Sequence, residues 1–284
     1  MDRRRQHLHA CWCVERLLPR SRRAALTGRR SAVAAGTAVF AYVFWCSPGA
    51  ALPLADDEEE AVAQLCERAL RPFDAGSEVH VALVHALWAR TFPARPLPAP
   101  RGPHWSELGF QGQDPATDFR AAGHLSAECL LHFAQHRQDA WGALVRKENG
   151  ARSDWYVLLC FACGEVACMS SRALRREYPV AAAGCNLVAS LLDALGVAQL
   201  LPQRKGKAPP PNRAFSGLLA RHPTALEELF CSAFIRLDAL WLEARASYMD
   251  FPHICSRAIA GTIAALSEGA GCDLEAVCRL VERC

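Results

Sequence analysis

The chain has 284 residues, 51% of them hydrophobic and 21% charged, with a net charge of +3. This balance excludes a disordered or collagen-like chain and leaves enough length for a sizeable core. The charge is uneven: residues 1–30 hold nine arginines against Asp2 and Glu15, a local +7, so the remainder carries −4 and lacks the basic footprint of a nucleic-acid binder.

In chain order, the Arg-rich start from Arg3 to Arg30 gives way to an uncharged run from Ser31 to Ala55. The densest apolar part, Ala32 to Trp45, is shorter than the roughly 20 residues of a membrane span, and Pro48 and Pro53 break the run. Residues 1–55 therefore read as a leader outside the fold. A cleaved targeting segment, a signal anchor and a docking helix all fit it, with membrane association through residues 31–55.

From Asp56 the pattern turns helical. The acidic run Asp56 to Glu60 suits a helix N-terminus, where negative charge complements the dipole, and Ala61 to Leu70 continues it. Val79 to Trp88 predicts a second helix, with Leu83, Val84, Leu87 and Trp88 on one side. Pro93, Pro96, Pro98, Pro100 and Pro103 forbid helix and predict an extended connector. A further helix is expected from about Phe119 to Arg137, with Thr117 and Asp118 as good cap types before it.

Ala151 to Ser171 reads as strand or buried helix, which periodicity does not separate. Tyr178 to Leu200 is small and apolar, as a buried helix would be. Pro202 to Pro211, with Arg204, Lys205 and Lys207, reads as an exposed loop. The strongest helical repeat is Leu226, Leu229, Phe230, Ala233, Phe234, Leu237, Leu240 and Trp241. Short helices over Pro252–Leu266 and Leu274–Val281 follow, separated by Gly269 and Gly271. Strand–helix alternation is lacking, so the expectation is a single all-α domain over residues 56–284.

The fourteen cysteines mostly sit in apolar runs, as Cys129, Cys160, Cys163, Cys185 and Cys231 do, and read as buried thiols rather than a disulfide framework. Cys160-x-x-Cys163-x-x-x-x-Cys168 lacks the second pair of a zinc ribbon. His132 and His136 share a helical face, but Phe133 stands where a metalloprotease helix has its Glu. No metal site is predicted.

The stretch from Trp105 to Arg120 concentrates the chemistry. Gly109, Gly112 and Pro115 punctuate a turn, and Trp105, Phe110 and Phe119 are apolar anchors for it. Asp118 is of the type that caps a following helix. Gln111 has two readings: its amide satisfies backbone groups of the turn, or it orients a phosphate or a water. Arg120 near a helix start opposes the dipole and so needs a partner. An internal carboxylate, Asp114 or Asp118, would serve. So would the phosphate of a nucleotide held by another protein, since a guanidinium is planar, always charged and multiply donating.

The order Trp105, Gly109-Phe110-Gln111, Asp114-Pro115 and Thr117-Asp118-Phe119-Arg120 resembles the signature of the ELMO (engulfment and cell motility) domain family. Gly123-His124-Leu125, Leu130 to Phe133, Tyr178 to Ala181 with Gly184 to Leu187, and Tyr248 to Phe251 extend the resemblance over about residues 75–265.

The resemblance is to the ELMO-domain-only branch. It implies a GTPase-activating protein for small GTPases of the ADP-ribosylation-factor-like class, with Arg120 as catalytic finger. Trp105, Gly109, Phe110, Gln111, Asp114, Pro115, Thr117, Asp118, Phe119 and Gly123 would bind the partner or support the motif. No cofactor of its own is implied, because Mg²⁺ and GTP belong to the partner. Action in the cytoplasm or at the cytoplasmic face of a membrane follows, in conflict with a signal-anchor topology that would carry the domain across. A non-catalytic ELMO-type scaffold is the alternative, and a thiol or metal module built on the cysteines a third. One departure stands out: Ala121 follows the Arg, where the family commonly has Gly.

Overall fold

The computed structural model describes residues 53–148, 178–197 and 210–284. The leader through residue 52, the Ala151–Ser171 segment with Cys160, Cys163 and Cys168, and the basic loop through residue 209 lie outside them. Residues from Asp57 onward form one compact unit. Among the described residues there are nine α-helices, three short 3-10 helices and no strand, so the fold is all-α.

Helix α1 (Asp56–Leu70) starts on the acidic run, and it buries Val62, Leu65, Cys66 and Ala69. Those spacings of three and four residues put all four on one face. Helix α2 (Glu78–Thr91) buries Val84, Leu87 and Trp88, while Leu83 stays half-buried. The proline connector then runs irregularly and is pinned by two buried indoles. Trp88 Nε1 donates to the Arg95 carbonyl at 3.1 Å and Trp105 Nε1 donates to the Pro100 carbonyl at 3.0 Å. Pro103 does not extend the connector as expected. It opens a 3-10 helix, Pro103–Leu108, at the first position, where a missing N–H costs nothing.

The main bodies are α3 (Gly123–His136), α4 (Gln138–Glu148), α5 (Val180–Ala194), α6 (Arg213–Arg221), α7 (Ala225–Ala244), α8 (Phe251–Glu268) and α9 (Leu274–Arg283). Helix α7 is the hub, packing on α3, α5, α6, α8 and α9. All eight residues of its apolar repeat, Leu226 through Trp241, are buried. It ends where Arg245 turns left-handed at φ 48°. Helix α3 packs against α2, α4, α5 and α7, and is buried almost around its circumference. Asp273 caps α9 by accepting from the Ala276 N–H at 2.7 Å, and Leu274, Val277, Cys278 and Val281 form its buried face.

Two ion clusters cross this core. Arg68 on α1 bridges Glu128 of α3 at 2.9 Å and Glu227 of α7, tying three helices at one point. Glu228 of α7 accepts from Arg137 at 3.0 Å and lies 2.9 Å from His132 Nε2, so His132 is occupied by a carboxylate while its ring stacks on His136. Cys129, Cys185 and Cys231 are buried free thiols. No helix among the described residues is long and apolar enough to cross a membrane.

Candidate functional site

The expected helix from Phe119 does not form there. Residues 118–122 are a turn, and α3 starts at Gly123. The cause is local. Gly123 adopts φ +55°, and a Cβ at that position would stand 2.2 Å from the Arg71 carbonyl oxygen, which instead accepts from the His124 N–H at 3.0 Å. The chain is thus turned sharply just where a continuous helix would have run, and only glycine fits the approach. Asp118 consequently does not cap α3. Nor does Thr117, whose backbone belongs to a one-turn 3-10 helix, Pro115–Thr117.

The loop between Gly109 and Gly123 is built from the inside outward. Trp105, Phe110 and Phe119 are all buried, with ring centroids 5.7 Å apart from Trp105 to Phe110 and again from Phe110 to Phe119. Phe119 also stacks on Phe73 at 4.6 Å. These edge-on and tilted contacts are favourable geometries for aromatic pairs. With Trp105 meeting Trp88 of α2 at 5.5 Å, they fix the two ends of the loop to α2 and to the segment after α1.

Its backbone is tied down as well. Gly109, left-handed at φ 80°, accepts from the Ala182 N–H of α5 at 3.1 Å. Gln113 accepts from the Gly102 N–H at 2.9 Å. Asp114 caps the one-turn helix by accepting from the Ala116 N–H at 3.0 Å, and its other carboxylate oxygen pairs with Arg101 at 2.8 Å. The Thr117 hydroxyl donates to the Asp114 carbonyl at 2.8 Å. Asp118 reaches back across the loop and accepts from the Gln111 N–H at 2.7 Å. Burial pushes the Asp118 carboxyl above its ordinary value, opposed by that N–H and by the Arg120 charge.

Arg120 stands on the outside of this frame. It is exposed, its Nε donates to the Thr117 carbonyl at 2.7 Å, and no carboxylate among the described residues lies within ion-pair distance. Of the internal partners considered, Asp114 is engaged by Arg101 and Asp118 by Gln111. The carbonyl bond orients the guanidinium without neutralising it, and the Nη groups make no hydrogen bond or ion pair among the described residues. Gln111 is exposed too, and its amide makes no bond within the turn, contrary to the expectation that it would satisfy backbone groups there. Ala121 is exposed and does not adopt a positive φ, so this backbone itself does not require glycine there. Beside the loop, a groove of about 530 Å³ runs between α2 and Asp114–Ala116, walled by Phe73, Val84, His85, Pro100 and Arg101.

Reading the sequence missed Arg101 and the Arg71 carbonyl. Arg101 sits among prolines, where no periodicity assigns it a direction. The only signal was its charge opposite Asp114. Backbone acceptors such as the Arg71 carbonyl leave no trace in residue type.

A helical domain that carries a clamped, aromatic-anchored loop with an exposed guanidinium free of any carboxylate among the described residues is the class of protein defined by this fold and site. The pattern of the ELMO/CED-12 family matches residues 63–255, and the chain belongs to that family. ELMO domain-containing protein A of Dictyostelium discoideum is 29% identical over 197 residues, 65% of this chain and 18% of that protein. Human ELMO domain-containing protein 2 is 39% identical over 79 residues, 28% of this chain and 27% of its own length. ELMO domain-containing protein B of D. discoideum is 41% identical over 70 residues, 24% and 25% of the two chains. The chain thus spans less than a third of the length of these relatives.

Proposed function

We propose that the chain activates GTP hydrolysis by small GTPases of the ADP-ribosylation-factor-like class, with Arg120 supplied in trans. The observation that carries this reading is the exposed Arg120 guanidinium, oriented by one carbonyl and paired with no carboxylate among the described residues. In a loose phosphoryl-transfer transition state, charge gathers on the transferring oxygens and on the leaving β-phosphate. The Nη groups of Arg120 donate to those oxygens, while the GTPase contributes the phosphate loop, the Mg²⁺ and the attacking water. An arginine acting in this way accelerates hydrolysis by roughly 10³–10⁵.

The test is single-turnover hydrolysis by a panel of GTP-loaded ADP-ribosylation-factor-like GTPases with and without the full chain. At least one should accelerate, and Arg120→Lys should remove the gain while leaving the helical circular-dichroism spectrum and melting temperature unchanged. A wild-type chain that binds a GTP-loaded GTPase without changing its rate would be a scaffold, and the activating reading would be wrong.

A further inference from the structure

We infer that Gln111 is a second trans-acting group of the same site, orienting the attacking water while Arg120 neutralises charge; the inference rests on the proposed GTPase activation. Three observations lead to it. The Gln111 side chain is exposed, and its amide, with two donors and two acceptor lone pairs, has no partner among the described residues. Its backbone, by contrast, is held: a half-buried carboxylate, Asp118, accepts from its N–H at 2.7 Å. Water would satisfy an N–H in an exposed loop without any carboxylate. Burying part of Asp118 for this purpose works against its charge, and what the bond achieves is a fixed position for Gln111.

The third observation is placement. Asp118 lies two residues before Arg120, at most about 7 Å of chain. The Asp118–Gln111 bond therefore keeps these two exposed residues close together on one loop. Burial raises the Asp118 carboxyl, and the Gln111 N–H and the Arg120 charge both act to lower it, so both residues act on this one carboxylate.

The chemistry is that of hydrolysis. The water oxygen forms a bond to the γ-phosphorus as the bond from that phosphorus to the β–γ bridging oxygen breaks. The electron pair leaves with GDP, and the water proton passes to the phosphate released. The Gln111 carbonyl accepts a hydrogen of the incoming water and its NH₂ donates to a γ-phosphoryl oxygen. GTPases commonly use a glutamine of their own for this task. A GTPase that lacks its own glutamine is therefore the discriminating substrate.

The experiment compares an activated GTPase from the panel with its variant in which that glutamine is Leu. Each is mixed with the full chain as wild type, Gln111→Met, Gln111→Ala or Arg120→Lys. Binding is measured in parallel to the GTPase loaded with a non-hydrolysable GTP analogue. Wild type should accelerate both GTPases. Both Gln111 variants should lose at least about 100-fold of the gain on the glutamine-less GTPase while melting as wild type and binding within about twofold. Arg120→Lys should lose the gain on both. Full acceleration of the glutamine-less GTPase by Gln111→Met would overturn the inference, as would a wild-type chain that accelerates only the intact GTPase. A fall in binding matching the fall in rate would also overturn it, leaving Gln111 a mere contact. In those cases the Arg120 reading survives if Arg120→Lys still abolishes the gain. No acceleration by wild type removes both.

Discussion

Replacing Gly109 by Ala places a methyl group where the loop meets α5. Two costs follow from the geometry. At φ 80° any residue with a Cβ pays for a left-handed backbone, roughly 1–2 kcal/mol. That Cβ would also stand 2.2 Å from the Val180 nitrogen, a backbone atom that cannot rotate away. Relief requires the loop and the start of α5 to separate, which breaks the 3.1 Å bond from the Ala182 N–H to the Gly109 carbonyl, worth about 1 kcal/mol. Together these amount to about 2–3 kcal/mol. In a domain of this size, 1 kcal/mol moves the melting temperature by about 2–4 °C, so the expected drop is about 4–12 °C.

Gly112 in the same loop is the control. A Cβ there would meet the Thr117 hydroxyl at 3.4 Å, an ordinary contact, and its φ is not positive. Gly112→Ala should therefore stay within about 0.5 kcal/mol of wild type. Thermal unfolding followed by circular dichroism at the helical band compares the three proteins. If Gly109→Ala melts within about 2 °C of Gly112→Ala, the loop is not seated on α5 as described.

The remaining predictions concern the core. His132, and then Arg137, hold the Glu228 carboxyl at about 2, below its ordinary 4.5. A depressed carboxyl stabilises the fold above its unfolded value, and that contribution is lost as pH falls from 4.5 toward 2. The side chain is 23% exposed, so solvent screening trims the nominal 3 kcal/mol to about 2. Glu228→Gln should lose about that much in urea unfolding at neutral pH and show a flatter decline in acid. An unchanged acid limb would refute the assignment. Burial pushes the thiols of Cys66, up to about 12, and of Cys129, Cys185, Cys231, Cys255 and Cys278 upward. Brief alkylation of the native chain near pH 8 should therefore mark Cys272 and Cys284 first among the eight described cysteines, as read by peptide mass mapping. Early labelling of Cys129 or Cys231 would contradict the burial described.

Much of the architecture was legible because it depends on spacing. The repeat from Leu226 to Trp241 could bury all its members only as one helix, and Gly269 with Gly271 marked the break before α9. The aromatic anchors were legible for the same reason: Trp105, Phe110 and Phe119 are too large and apolar to be left exposed by a loop. The start of α3 was misread because Thr117 and Asp118 have the chemistry of caps, and type alone does not say which backbone group a side chain meets. Asp118 satisfies an N–H seven residues earlier, and the turn is enforced by a glycine whose neighbour is the Arg71 carbonyl. The Arg68–Glu128–Glu227 cluster was invisible, since its members lie as far as 159 residues apart in sequence. Asp114 has the charge to pair with Arg120, but Arg101, brought in by an irregular connector, occupies it instead.

The ties on the Gly109–Gly123 loop go to separate parts of the molecule: to α5 through Gly109, to the proline connector through Gln113, and to the segment after α1 through His124. Its conformational entropy is given up when the domain folds, not when a partner arrives. An encounter therefore finds a surface already in its final shape, and little of the binding free energy goes into ordering it. Association with a partner at this loop should then be governed by diffusion and charge rather than by loop closure.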